Sequence, residues 1–103
     1  RSCDGAVEEM RREYDRRRRF VISRFEELGM PCFRAKGAFY VFPECPGDDE
    51  AFAEGLLKSE GVAVVPGSAF GESGAGHLRV SYATGMNDLK EALNRIERYL
   101  DSH

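Results

Sequence analysis

The sequence has no hydrophobic run approaching the roughly 18 to 20 residues that a membrane-spanning helix requires, and its first residues, Arg1 and Asp4 among them, start no signal-peptide core. No membrane partner is expected, and a cytoplasmic setting is the default. Cysteine is scarce and unpatterned: Cys3, Cys32 and Cys45 are odd in number and form no C-x-x-C. That argues against a disulfide framework and a zinc site, and the three read as reduced thiols engaged in packing. The two histidines, His77 and His103, have no neighbours at ligand spacing, so no metal site is expected. An excess of positive charge is also missing. Fifteen Lys and Arg against 18 Asp and Glu leave a net charge of −3, which does not favour nucleic acid as the main partner. There is no internal repeat, low-complexity stretch or long linker, so residues 1–103 read as one domain.

What remains is the composition of a globular chain, 42% hydrophobic and 32% charged, too short for more than one modest core. In residues 7–28, Val7, Met10, Tyr14, Val21, Phe25 and Leu28 recur at spacings of three, four or seven, the stripe of a long amphipathic helix. Gly29 and Pro31 end it. Arg17 or Arg18 occupies the stripe position between Tyr14 and Val21, so something other than a plain core meets the helix there. Cys32-Phe33-Arg34-Ala35 and Ala38-Phe39-Tyr40-Val41-Phe42 read as strands about a Lys36-Gly37 turn. Asp48 and Asp49 cap a helix whose core face is Phe52, Ala53, Leu56 and Leu57, and Gly61 stops it. Val62-Ala63-Val64-Val65 reads as a short buried strand ended by Pro66-Gly67, followed by a glycine-rich connection across residues 71–76.

From His77 to Ala83 the pattern alternates, with Leu78, Val80 and Tyr82 on one side and Arg79, Ser81 and Ala83 on the other. Met86, Leu89, Leu93, Ile96 and Leu100 mark a closing helix, with Asp88 and Glu91 at capping-box spacing. The order is α-β-β-α-β-β-α. The expected fold is α/β (α+β), a small mixed sheet of about four strands covered by helices.

Few residues point to chemistry on their own. The arginines of Arg11-Arg12-Glu13-Tyr14-Asp15-Arg16-Arg17-Arg18-Arg19 spread around a helix among carboxylates, which is the pattern of a solvated or interface face. Lys36-Gly37-Ala38-Phe39-Tyr40-Val41-Phe42 partly matches an RNA-recognition strand but has the wrong residues at 38, 39 and 43, so core packing is the better reading. Pro66-Gly67-Ser68-Ala69-Phe70-Gly71 is a shaped loop without the Gly-Lys-Ser/Thr of a phosphate cradle. No nucleophile with a base partner is evident. Arg79 has two readings on pattern alone: a solvent-facing residue, or a guanidinium presented by a rigid strand for bidentate capture of a carboxylate.

Three ordered motifs then carry a resemblance: Ala38-Phe39-Tyr40-Val41-Phe42-Pro43, Val62-Ala63-Val64-Val65-Pro66-Gly67-Ser68-Ala69-Phe70-Gly71, and Leu78-Arg79-Val80-Ser81-Tyr82-Ala83-Thr84. With the preceding Met10-to-Arg18 helix they resemble, over nearly the whole chain, the C-terminal small domain of class I/II aminotransferases. These are pyridoxal-phosphate enzymes of the aspartate aminotransferase type (fold type I). The resemblance implies a domain that closes over a cofactor-bearing large domain, usually in a homodimer, with an amino acid and a 2-oxo acid as substrates. It implies that Arg79 binds the substrate α-carboxylate, and it places the Pro66 loop near the same cleft without a catalytic role. It assigns no catalytic or cofactor-binding residue here, because the Schiff-base lysine, the acid facing the pyridine nitrogen and the phosphate-binding groups belong to the large domain.

Of the lysines, Lys36, Lys58 and Lys90, none sits in the family's Ser-x-x-Lys context. The expectation is a fragment that alone neither holds pyridoxal 5'-phosphate nor transaminates. With its partner domain missing, Arg17, Arg18 and part of the first helix should be exposed and favour weak self-association. The alternatives are the small domain of another fold type I enzyme, a decarboxylase or synthase, and a stand-alone α/β binding module, for instance for RNA.

Overall fold

A computed structural model describes residues 2–34, 39–71 and 74–102. The elements run α1 (Ser2–Glu27), β1 (Cys32–Arg34), β2 (Tyr40–Pro43), α2 (Asp49–Glu60), β3 (Val65–Pro66), a 3-10 turn (Gly67–Phe70), β4 (Leu78–Ser81) and α3 (Met86–Ser102). This is the expected order. The turn expected at Lys36-Gly37, the strand positions Ala35 and Ala38, and positions 72 and 73 of the glycine-rich connection lie outside the described residues, as does His103.

Each helix end has an identifiable cause. α1 stops at Gly29, which takes φ 79°, while the N–H groups of Gly29 and Met30 donate to the carbonyls of Glu26 and Phe25. This pair of bonds closes orphan carbonyls, and Pro31 prevents continuation. At the start of α2, Asp48 accepts from the Ala51 N–H at 2.8 Å, and Gly61 ends the helix at φ 69°. α3 starts two residues before the anticipated cap: Gly85 accepts from the Leu89 N–H, and Asp88 lies inside the first turn, accepting from Thr84 Oγ1. Glu91 therefore pairs forward with Arg95 at 2.8 Å rather than back to Asp88.

The four strands form one sheet in the order β1-β2-β4-β3, and every neighbouring pair is antiparallel. The mixed sheet anticipated is thus corrected in one respect. β2 and β3, joined through α2, point the same way but never touch, because β4 inserts between them in the opposite sense. β3 is shorter than the expected run: only Val65 and Pro66 pair, while Val62 and Val64 pack half-buried against the core. Pro66, which cannot donate to a ladder, is tolerated because β3 is an edge strand.

Register decides which face is which. Val41 pairs with Val80, so Val41, Val80, Leu78 and Tyr82 share one face, and Tyr40, Ser81 and Arg79 share the other. The first face enters a single core with Val21 and Phe25 of α1, Phe52, Ala53 and Leu56 of α2, and Leu89, Leu93, Ile96 and Tyr99 of α3. Tyr99, which the α3 stripe had not included, meets Phe52 edge-on at 5.2 Å and fills the space over Gly55, where a Cβ would lie 2.1 Å from the phenol oxygen. Leu57, anticipated in the core, is 53% exposed. Val7 and Met10 are also exposed, because α1, about 39 Å long at 1.5 Å per residue, runs past the sheet.

The placement of these leucines is testable by urea unfolding. Leu93→Ala, which empties a fully buried site, is expected to cost about 2 to 5 kcal/mol. Leu57→Ala should stay within about 0.5 kcal/mol, and equal losses at the two positions would contradict the packing described.

Candidate functional site

Arg79 sits at the middle of the uncovered sheet face. β4 is an inner strand, with Val65 of β3 opposite Arg79 on one side and β2 on the other. The guanidinium carbon lies 4.3 Å from the centroid of the Tyr40 ring and 4.5 Å from that of Phe70, so the cation is stacked between two aromatic rings. Its Nε is buried without a hydrogen-bond partner. No ion pair to Arg79 forms among the described residues, whereas Arg16, Arg17, Arg18, Arg19, Arg24, Arg95 and Arg98 all pair with carboxylates.

A buried, unpaired N–H costs about 1 to 3 kcal/mol, and cation–π stacking returns about 0.5 to 2 kcal/mol per ring. The rings thus hold the guanidinium in place while its planar donor fork goes unmatched among the described residues, an arrangement suited to a bidentate anion.

The second ring is supplied by a loop that is tightly built. Gly67 donates to the His77 carbonyl at 2.7 Å, and a Cβ on Gly67 would stand 2.0 Å from the Gly74 carbonyl oxygen; the reverse substitution meets Gly67 O at 2.2 Å. Only glycine at both positions lets the two backbones pass this closely. The turn is also tied to α2. Asp49, 4% exposed, accepts from the Ser68 N–H at 2.7 Å. Burial pushes its carboxyl up, but hydrogen bonds from the Ser68 backbone and side chain, and from backbone N–H groups at the helix start, outweigh it and hold the carboxyl below its ordinary value. The two aspartates read together as caps therefore divide the work: Asp48 caps α2 and Asp49 anchors the turn.

The other sequence candidates fall away from this face. Arg17 fills the gap in the α1 stripe by bonding Glu13 at 2.8 Å, donating to the Ala83 carbonyl at 3.3 Å beyond β4, and lying over the Tyr14 ring. Arg18 bonds Asp15 and keeps a buried Nε. Both are engaged within the chain, which corrects the expectation that they are exposed; the exposed part of α1 is the stretch carrying Val7 and Met10. Arg16 and Arg19 are matched by Glu13 and Asp15 on the same helix, so the basic run is largely self-neutralised. Lys36, the first residue of the RNA-like strand, is outside the described residues.

Burial raises the Cys45 thiol to about 11 and the Cys32 thiol to about 12, with nearby carboxylates adding to the shift, so both stay protonated near neutrality and neither is a nucleophile. Among the described residues no cluster of His, Cys, Asp or Glu could hold a metal, and no helix is long and apolar enough to cross a membrane.

Arg79 was legible from its motif, but Tyr40, Phe70 and Asp49 were not assigned to the site. For Tyr40 the signal was available in its alternation with Val41. For Phe70 and Asp49 it was not, since both act through a contact between segments 19 residues apart. Because the folded-state carboxyl of Asp49 is held below its unfolded value of about 3.9, its anchoring contribution is full above that value and is lost as pH falls through the folded one. The Ser68 amide resonance should accordingly titrate with a midpoint below the unfolded aspartate value of about 3.9, and a midpoint above that value would contradict the anchoring.

Comparison with known proteins places this geometry. The aminotransferase class I and II family matches residues 2–96. The chain is 51% identical over 98 residues to an aspartate aminotransferase of Pyrococcus abyssi, and 50% identical over 98 residues to aromatic-amino-acid aminotransferase 2 of Thermococcus litoralis. Each alignment covers 92% of this chain and 25% of the relative, so the chain spans about a quarter of the length of these curated relatives. Among solved structures, the aromatic aminotransferase from Pyrococcus horikoshii superposes with a TM-score of 0.89 at 51% identity, over 95% of this chain and 27% of that one. The match to the family across nearly all of the chain, joined to a superposition of that quality, means that this protein belongs to the class I and II aminotransferases.

Proposed function

We propose that residues 1–103 are the C-terminal small domain of an aminotransferase that moves an amino group between an amino acid and a 2-oxo acid, and that Arg79 binds the substrate α-carboxylate. The observation that carries the reading is a guanidinium unmatched among the described residues: stacked between Tyr40 and Phe70, its Nε buried without a partner, on the sheet face that the described helices leave open. A carboxylate supplies two parallel acceptors to such a fork, and the rings restrict the plane in which they are met. Fixing the carboxylate at one end orients the Cα–H bond of an amino acid, so that proton transfer starts from a productive geometry. The relatives named above are aminotransferases, which favours transfer over decarboxylation or synthesis on the same scaffold. The carboxylate pairing along α1 speaks for the enzyme reading over an RNA-binding module.

Pyridoxal phosphate supplies the electron sink in this family, but the described residues do not fit it. Lys58 is 73% exposed on α2 and pairs with Glu54 at 2.7 Å, and Lys90 is exposed on α3; neither amine lies in a recess where a ring could sit. Lys36 is outside the described residues. The reading therefore assigns the cofactor to a large domain, with substrate entering between the two, and includes a homodimer acting in the cytoplasm.

In the intact gene product, Arg79→Lys removes the planar fork while keeping the charge. It is expected to lower kcat/KM for transamination by about a hundredfold, with the larger part in KM. A variant with unchanged kcat/KM would exclude Arg79 as the carboxylate anchor.

A further inference from the structure

The Arg79 clamp has one half that is inherent in the sheet and one half that is not. Tyr40 reaches the guanidinium from β2, whose pairing with β4 fixes its position through Tyr40 opposite Ser81 and Val41 opposite Val80. Phe70 belongs to no strand. It stands at the end of the 3-10 turn, its residue is 52% exposed, and it touches the cation from a loop that continues into Gly71 at φ 114°. Some contact must keep that loop from swinging off the sheet face, since one exposed ring stacked on a cation is worth only about 0.5 to 1 kcal/mol.

We infer that Asp49 is a positioning residue for the Arg79 site: its buried carboxylate, bonded to the Ser68 N–H, holds the Gly67–Phe70 turn so that the Phe70 ring closes over the guanidinium. The assignment rests on the carboxylate-binding reading of Arg79, although the positioning of Phe70 is a separate physical claim. Three observations support it. Asp49 is the buried charged residue of the described structure, 4% exposed, and lies at the first position of α2 rather than at its cap. Its oxygen accepts from Ser68, two residues before Phe70, at 2.7 Å, a distance proper to a charge-assisted bond. The start of the turn is pinned by the Gly67 N–H bond to His77 O and by the Gly67–Gly74 crossing, and its end by the Gly71 N–H bond to Ser68 O and the Gly74 N–H bond to Gly71 O; these bonds shape the loop within itself and against β4, and Asp49 supplies the bond that fixes the shaped loop to α2. A carboxylate buried at the beginning of α2 is further supported by the free N–H groups and the dipole of that helix, so it stays charged and does not need a cation of its own. Among the described residues Asp49 forms no hydrogen bond or ion pair with Arg79; it acts through Ser68 and Phe70.

The test uses the intact gene product, labelled with nitrogen-15 at arginine and carbon-13 at the leucine and isoleucine methyls, read at the Arg79 Nε–H resonance and titrated with maleate as a non-reactive dicarboxylate. Stacked between two ring faces, that proton is displaced upfield. Asp49→Ala removes the acceptor and is expected to move the resonance downfield and to weaken maleate binding by about tenfold, while the methyl signals of Leu93 and Ile96 stay in place. Asp49→Asn keeps an oxygen for Ser68 N–H, preserves the fold, and should shift the Arg79 resonance in the same direction by a smaller amount, with most of the affinity retained. An Arg79 resonance identical to the wild type in both variants overturns the inference, as does a shift that appears only together with loss of the core methyl signals. If the wild type and Arg79→Lys bind maleate alike, the carboxylate reading fails, and the resonance shifts in the Asp49 variants still decide whether Asp49 positions Phe70.

Discussion

Among the described residues no carboxylate pairs with the Arg79 guanidinium, and two aromatic rings compensate for its partial removal from water. That constraint organises the rest of the chain. The arginine must come from an inner strand so that neighbours on both sides restrict it, and the strand order β1-β2-β4-β3 puts β4 there. Its face must be free of helices, and the packing of α1, α2 and α3 into one core against Val41, Leu78 and Tyr82 leaves the other face open. The antiparallel insertion of β4 between β2 and β3 is therefore more than a topological detail: it brings Tyr40 from one neighbour and the turn after β3 from the other to the same side chain.

The loop that carries Phe70 shows how a segment with few apolar contacts can still be given a definite shape. Two glycines pass with their backbones closer than any Cβ would allow, a backbone bond ties the turn to His77, and one buried carboxylate ties it to α2. These are short-range, directional contacts, which specify position more than they add stability. Phe70, at the end of this turn, lies over the Arg79 guanidinium and stays half-exposed.

Much of this fold was legible in the sequence because its punctuation is local. Gly29 with Pro31, Asp48, and Gly61 each act on the backbone within a few residues, and each does in the structure what its chemistry predicts. The stripe of α3 was readable for the same reason. Features that depend on what lies opposite were not. Leu57 has the spacing of a core residue but no described element packs over it, and Val7 and Met10 continue a stripe past the end of the sheet that would bury them. Val62 and Val64 look like strand and instead pack half-buried against the core without joining the ladder, because propensity says nothing about which surface a short apolar run will meet. At the site, motif resemblance supplied Arg79, while Phe70 and Asp49 emerge only when the turn is brought against α2.

The account stands most directly on what fills the open fork of Arg79. A crystal structure of the intact gene product with a substrate carboxylate bound would settle it. The account predicts two parallel contacts of about 2.7 to 2.9 Å from the guanidinium to the two carboxylate oxygens, with the Tyr40 and Phe70 rings still stacked on either face. A carboxylate bound elsewhere, with the Arg79 fork still unmatched between its rings, would contradict it.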